Sequence, residues 1–183
     1  MTAHDTPPGA RLAPAALTGA TILGLVERLA DALGQKGWMI GTAESCTGGL
    51  LAGAMTSVAG SSGWFERGFV TYSNDAKVQE LEVSADTLAH YGAVSEPVAQ
   101  EMASGVLLAC EAARIAASTT GIAGPGGATP GKPVGMVCFG FAMRTANGIV
   151  TRAATHVFPG DRAQVRHGAV EFALRGLLGM LDA

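Results

Sequence analysis

The residues that bind metals, form disulfides or activate water are scarce in this chain. Among 183 residues there are three cysteines, four histidines and three lysines, and charged side chains make up only 15%. The cysteines are odd in number and none are paired at ligand spacing, which excludes a disulfide framework and points to a reduced, cytoplasmic setting. The sequence contains no His-x-x-x-His, no Cys pair and no Asp-x-Asp cluster, so neither a metal nor a cofactor is expected. A net charge of -3 supplies no attraction for nucleic acid or an anionic membrane. Long apolar runs are missing too, since Gly, Lys, Asp or Glu interrupts each candidate span. The first eighteen residues carry Pro7, Pro8 and Pro14 but no basic start followed by an apolar run, unlike a signal peptide. They read as a flexible leader, with one domain over 19–183.

Apolar residues are abundant at 48%, enough for a proper core, and the 26 glycines cluster at turns without forming a repeat. Ile22, Leu25, Val26, Leu29 and Leu33 share one face of a helix over 21–36, with Gly34 and Gly37 available to end it. A buried strand follows at 38–43, a turn at 44–49, a helix at 50–58 and a strand at 66–72. Ser73, Ser84 and Ser95 stand where helix caps belong. Strands are expected at 115–120, 134–143 and 149–157, the last two joined around Asn147-Gly148. A final helix opens at Gly160-Asp161, with Val165, Ala169, Phe172, Ala173 and Leu177 facing inward. Early alternation and a late hairpin imply an α/β three-layer sandwich, a mixed sheet flanked by helices on both faces.

Ser45 lies at a strand-to-helix junction, between Glu44 and Cys46-Thr47-Gly48-Gly49. Such a turn lifts a side chain above the sheet edge, near the unpaired N–H groups of the next helix. That arrangement suits a nucleophile whose attack creates an oxyanion, and equally suits a simple helix cap. A serine needs a base. There is no Gly-x-Ser-x-Gly elbow, and His4, His90, His156 and His167 are poorly placed for a triad. Lys77 remains, since it emerges with Ser45 and Tyr72 at one sheet edge if the first two strands are neighbours. Spacing alone reads Lys77 as a solvated helix residue and Tyr72 as a core ring with a wet hydroxyl.

Residues 126–132 nearly spell a phosphate-binding P-loop, but Pro133 replaces its Ser or Thr and a strand follows instead of a helix. Nucleoside triphosphate binding is therefore rejected. The glycines can still wrap a substrate with backbone N–H groups, or form a plain surface turn. Arg162 and Arg166 share a helix face and can grip a phosphate, or remain a solvated helix start capped by Asp161.

Five segments resemble one family. They are Thr42-Ala43-Glu44-Ser45-Cys46-Thr47-Gly48-Gly49, the stretch 60–74 with Lys77 after it, Gly92-Ala93-Val94-Ser95-Glu96-Pro97-Val98, the loop 120–133, and Phe158-Pro159-Gly160-Asp161-Arg162. Together they are similar to the CinA carboxy-terminal domain family, the nicotinamide-nucleotide amidohydrolases. The resemblance implies a homo-oligomeric enzyme without metal or cofactor, whose small-molecule substrate is nicotinamide mononucleotide. It further implies Ser45 as nucleophile, Lys77 as base and Tyr72 as proton relay. Substrate contacts are expected from Glu44, Cys46, Thr47, Gly48, Gly49, Asn74, Gly121, Gly124, Gly126, Gly127, Arg162 and Arg166. Longer family members carry a further amino-terminal domain related to molybdopterin-binding proteins, and this chain resembles the stand-alone type. A non-catalytic binding domain of the same fold, an amidase or esterase for another small substrate, and a Cys46 mechanism are the competing readings.

Overall fold

A computed structural model describes residues 21–182. The expected leader and His4 lie outside the described residues. Helix α1 (Ile22–Lys36) starts where the Thr21 hydroxyl accepts the Gly24 N–H at 3.2 Å, and stops at Gly37 in a left-handed conformation. It buries Leu25, Val26, Leu29 and Leu33. Each such side chain contributes about 2 kcal/mol of apolar burial.

The chain continues through β1 (Met39–Glu44), α2 (Leu50–Thr56), a short 3-10 turn at Ser61–Gly63, β2 (Phe65–Val70), α3 (Asn74–Leu81), α4 (Ala85–Tyr91) and α5 (Glu96–Ala109). It then forms β3 (Ala113–Gly121), β4 (Met136–Thr145), β5 (Gly148–Val157) and α6 (Arg162–Leu181). The five strands lie in the order β2-β1-β3-β4-β5. β2, β1 and β3 are parallel, while β4 and β5 run antiparallel, which is the mixed sheet the sequence leads one to expect.

Helices cover both faces. On one, Leu29, Leu51, Met55 and Leu174 of α1, α2 and α6 pack on Phe139 and Phe141 of β4. On the other, Leu81, Val98, Met102 and Val106 of α3 and α5 pack on Ala43, Ala116 and Ala142. Between the two phenylalanines, Gly140 lets α5 lie directly on the sheet, because a Cβ there would sit 2.0 Å from the Ala99 carbonyl oxygen. The connection from β1 to β2 runs through α2 on the first face, and that from β2 to β3 through α3–α5 on the second. The strand order therefore reverses at β1, and the carboxyl ends of β1 and β3 are where open α/β sheets place their ligands.

Several local expectations shift. The helix after Ser45 begins at Leu50 as expected but ends at Thr56, short of the expected Val58; Gly48 and Gly49 take left-handed conformations (φ 59° and 94°) in the turn before it. Ser95 occupies the start of α5 but its hydroxyl donates to the Gly92 carbonyl instead of capping. The β4–β5 turn is centred one residue earlier than expected, since Thr145 pairs with Gly148. Among the described residues no helix is long and apolar enough to cross a membrane.

Candidate active site

The carboxyl ends of β1 and β3 bring together a group of fully buried polar side chains: Thr42, Glu44, Thr47, Thr71, Lys77, Ser118, Thr119 and Thr120. Ser45 is the first residue past β1. Its N–H donates to the Thr119 carbonyl at 2.9 Å, and the Glu44 carbonyl accepts the Thr71 N–H at 2.9 Å. Ser45 is therefore pinned to both neighbouring strands.

Glu44 does not face a substrate crevice. Its carboxylate turns under the following loop and accepts N–H groups from Gly49 (2.9 Å), Leu51 (3.0 Å) and Ala52 (2.8 Å). It thus closes the start of α2, where the helix dipole favours a negative charge. The expectation that this helix start would hold an oxyanion is corrected, because those donors are already taken. Gly48 N–H returns to the Ser45 carbonyl (3.1 Å), Leu50 N–H to Thr47 (3.3 Å) and Gly53 N–H to Gly49 (2.8 Å). Across residues 45–53 only the N–H groups of Cys46 and Thr47 have no partner among the described residues.

Lys77 projects from the first turn of α3, whose start is capped by Ser73 accepting the Ala76 N–H. Spacing alone made it a solvated residue, yet it is 1% exposed, whereas Tyr72 is 62% exposed instead of core. Packing of α3 against the sheet edge reverses both assignments. Lys77 Nζ lies 3.2 Å from Ser45 Oγ, 2.8 Å from the Thr71 carbonyl, 3.4 Å from that of Tyr72 and 3.5 Å from that of Ser73. No carboxylate is among these partners, and burial lowers the Lys77 pKa from its ordinary value. An ammonium has three protons to give to these four oxygens. A neutral amine gives two to the carbonyls and leaves its lone pair for the Ser45 hydroxyl proton.

Tyr72 is tied to the site through its backbone, while its ring hydroxyl accepts from Arg162 Nη2 at 3.3 Å. Arg162 Nη1 also donates to the Gly124 carbonyl at 3.0 Å, joining the tyrosine to the glycine-rich loop. Arg166 points elsewhere, donating to the carbonyls of Cys46 (3.1 Å) and Thr47 (2.8 Å). The two arginines that the sequence paired thus serve different parts of the molecule. Asn74 opens α3 exposed, Gly121 ends β3, and Gly126 and Gly127 are exposed on the loop. Lys132, the lysine of the near P-loop, donates to the Tyr91 carbonyl at 2.6 Å.

Two residues of the site went unread in the sequence. Thr119 holds the Ser45 backbone and shares a buried 2.7 Å hydroxyl contact with Thr47. Thr71 supplies the shortest Lys77 contact, and its own buried hydroxyl has no partner among the described residues. The signal for Thr119 was the run Ser118-Thr119-Thr120 in a strand that is otherwise apolar but for the exposed Arg114. Cys46 is a poor nucleophile here, since burial pushes its thiol up to about 12. Among the described residues no three His, Cys, Asp or Glu side chains gather to hold a metal ion.

The CinA C-terminal domain model matches residues 23–181. The chain is 50% identical over 161 residues to the nicotinamide-nucleotide amidohydrolase PncC of Escherichia coli, covering 88% of this chain and 95% of that protein. It is 55% identical over 147 residues to the protein of that name from Enterobacter agglomerans, covering 80% and 87%. The crystal structure of the competence damage-inducible protein A from Klebsiella pneumoniae subsp. pneumoniae superimposes with a TM-score of 0.84 at 40% identity, covering 89% of this chain and 98% of that one.

Proposed function

The chain belongs to the CinA C-terminal domain family, and on that basis we propose that it hydrolyses the carboxamide of nicotinamide mononucleotide to nicotinate mononucleotide and ammonia. The relatives' names support the substrate. The chemistry rests on one observation, the 3.2 Å approach of a buried, carboxylate-free Lys77 amine to Ser45 Oγ.

In this reading neutral Lys77 takes the Ser45 proton as Oγ attacks the carboxamide carbon. The carbonyl oxygen becomes an oxyanion, received by the free N–H groups of Cys46 and Thr47. The C–N bond breaks once the nitrogen is protonated, and ammonia departs. Tyr72 is the proposed relay for that proton: its oxygen accepts from Arg162, its O–H donates to the nitrogen, and the proton that Lys77 took from Ser45 refills it, which returns Lys77 to the neutral amine. Water, activated by Lys77, then cleaves the acyl-enzyme and regenerates Ser45. The cationic pyridinium withdraws electrons from the carboxamide and favours each attack. Arg162 and the glycine loop at 124–127 are the proposed phosphate contacts, since Arg162 is exposed and joined to Gly124. Homo-oligomeric assembly and a cytoplasmic location belong to the same proposal.

The test is ammonia release from nicotinamide mononucleotide by the purified protein beside Ser45→Ala. Release that disappears in the variant supports the reading. A folded wild type that releases none overturns it.

A further inference from the structure

Arg166 is placed by the second turn of α6, beside the buried Val165 and Ala169, and its half-buried guanidinium reaches residues 119 and 120 positions earlier in the chain. Nε donates to the Cys46 carbonyl and Nη2 to the Thr47 carbonyl. One edge of the planar fork is thereby spent on the loop that follows Ser45.

The consequence comes from peptide geometry. In a planar trans peptide the carbonyl and the next N–H point in opposite directions. Drawing the Cys46 carbonyl toward Arg166 sends the Thr47 N–H to the opposite side. The Ser45 carbonyl is held by Gly48, so the Cys46 N–H points away from that turn. These are the two N–H groups left without a partner in residues 45–53, while Glu44 absorbs the helix-start donors beside them. A cationic donor on the Cys46 carbonyl also polarises that amide, making its Thr47 N–H a stronger donor.

We infer that Arg166 is a positioning residue for amide hydrolysis: it holds and polarises the peptide groups that receive the oxyanion, and does not bind the substrate phosphate. This rests on the reading of Ser45 as the nucleophile of an amidohydrolase. Arg162 and Arg166 then divide the work, one at the rim and one behind the nucleophile loop.

The experiment compares Arg166→Met and Arg166→Lys with wild type on two compounds. Nicotinamide mononucleotide carries a phosphate. p-Nitrophenyl acetate has none, yet its attack by Ser45 builds the same kind of oxyanion. Loosened oxyanion donors should lower kcat on the mononucleotide on the order of 10- to 100-fold, with KM little changed. Acylation by the ester should fall by a similar factor, and Arg166→Lys should recover part of both losses. A rise in KM for the mononucleotide with unaltered ester acylation would make Arg166 a phosphate ligand and overturn the inference. Unchanged rates on both compounds overturn it as well. If Arg166→Met does not fold, Arg166→Lys carries the same comparison. A wild type that is acylated in an Arg166-dependent way but releases no ammonia keeps the inference and removes the substrate assignment. One inert to both compounds removes both.

Discussion

Lys77 Nζ sits 3.2 Å from Ser45 Oγ across a separation of 32 residues, and its remaining close partners are backbone carbonyls. A structural lysine buried to this extent is ordinarily neutralised by a carboxylate. Among the described residues the charge has no such partner, and that imbalance suits the amine to the proposed role of base.

Removing the base should cost most of the rate. Lys77→Ala is expected to lower ammonia release at least ~100-fold, the usual worth of a positioned general base. Lys77→Arg should be equally inactive despite its charge, because a guanidinium does not give up its proton near neutral pH. Steady-state ammonia assays on both variants check this. An active arginine variant would mean that the charge and not the lone pair matters.

The lowered Lys77 pKa has a consequence for activity and one for stability. In the proposed mechanism turnover requires the neutral amine, so the rate should rise with pH and level off below the ordinary lysine value of about 10.4. Between the lowered native value and the ordinary unfolded one, the unfolded chain binds more protons, so stability rises with pH across that window. Thermal melts of wild type and Lys77→Met over the same range should show this rise in the first and its loss in the second.

Glu44→Ala would leave three N–H groups at the start of α2 without acceptors in a fully buried place. The expected destabilisation is about 3–5 kcal/mol, from lost charge-assisted bonds and orphaned donors. Glu44→Gln, which keeps one carbonyl oxygen, should lose less. Urea denaturation measures both, and a near-neutral alanine variant would contradict the capping role.

At the rim, Tyr72→Phe keeps the ring and deletes the hydroxyl. Loss of a relay should lower kcat about 100-fold with KM unchanged. Arg162→Ala should instead raise KM for the mononucleotide by about tenfold or more, the worth of one hydrogen bond to a charged group. Full kinetics on both variants separate the two roles, and a pure KM effect at Tyr72 would reassign it to binding.

Much of this was legible along the chain, because its causes are local. The 3.6-residue spacing of Leu25, Leu29 and Leu33, the cap at Thr21 and the stop at Gly37 define α1 from nearby residues alone. The capping box that joins Asp161 to Gln164 likewise sets the start of α6. Ser45 stood out as a hydroxyl at a strand end followed by two glycines. The two glycines also marked the turn before α2, since both take left-handed conformations ahead of Leu50.

What the tertiary structure decided were the properties set by distant neighbours. Helical spacing says nothing about which side of α3 the sheet covers, so Lys77 and Tyr72 were assigned the wrong exposures until packing exchanged them. Glu44 and Arg166 have roles only because the chain returns to bring α2 and α6 over the end of β1. The sequence by itself determined the elements, the loop after Ser45 and the family, since these depend on residues within a few positions of one another. Burial, and with it the lysine's lowered proton affinity, the assignment of each N–H group and the division between Arg162 and Arg166, arose from contacts that span dozens of residues. Such contacts leave no periodic trace in the chain, because they are selected by the shape of the packed sheet and helices.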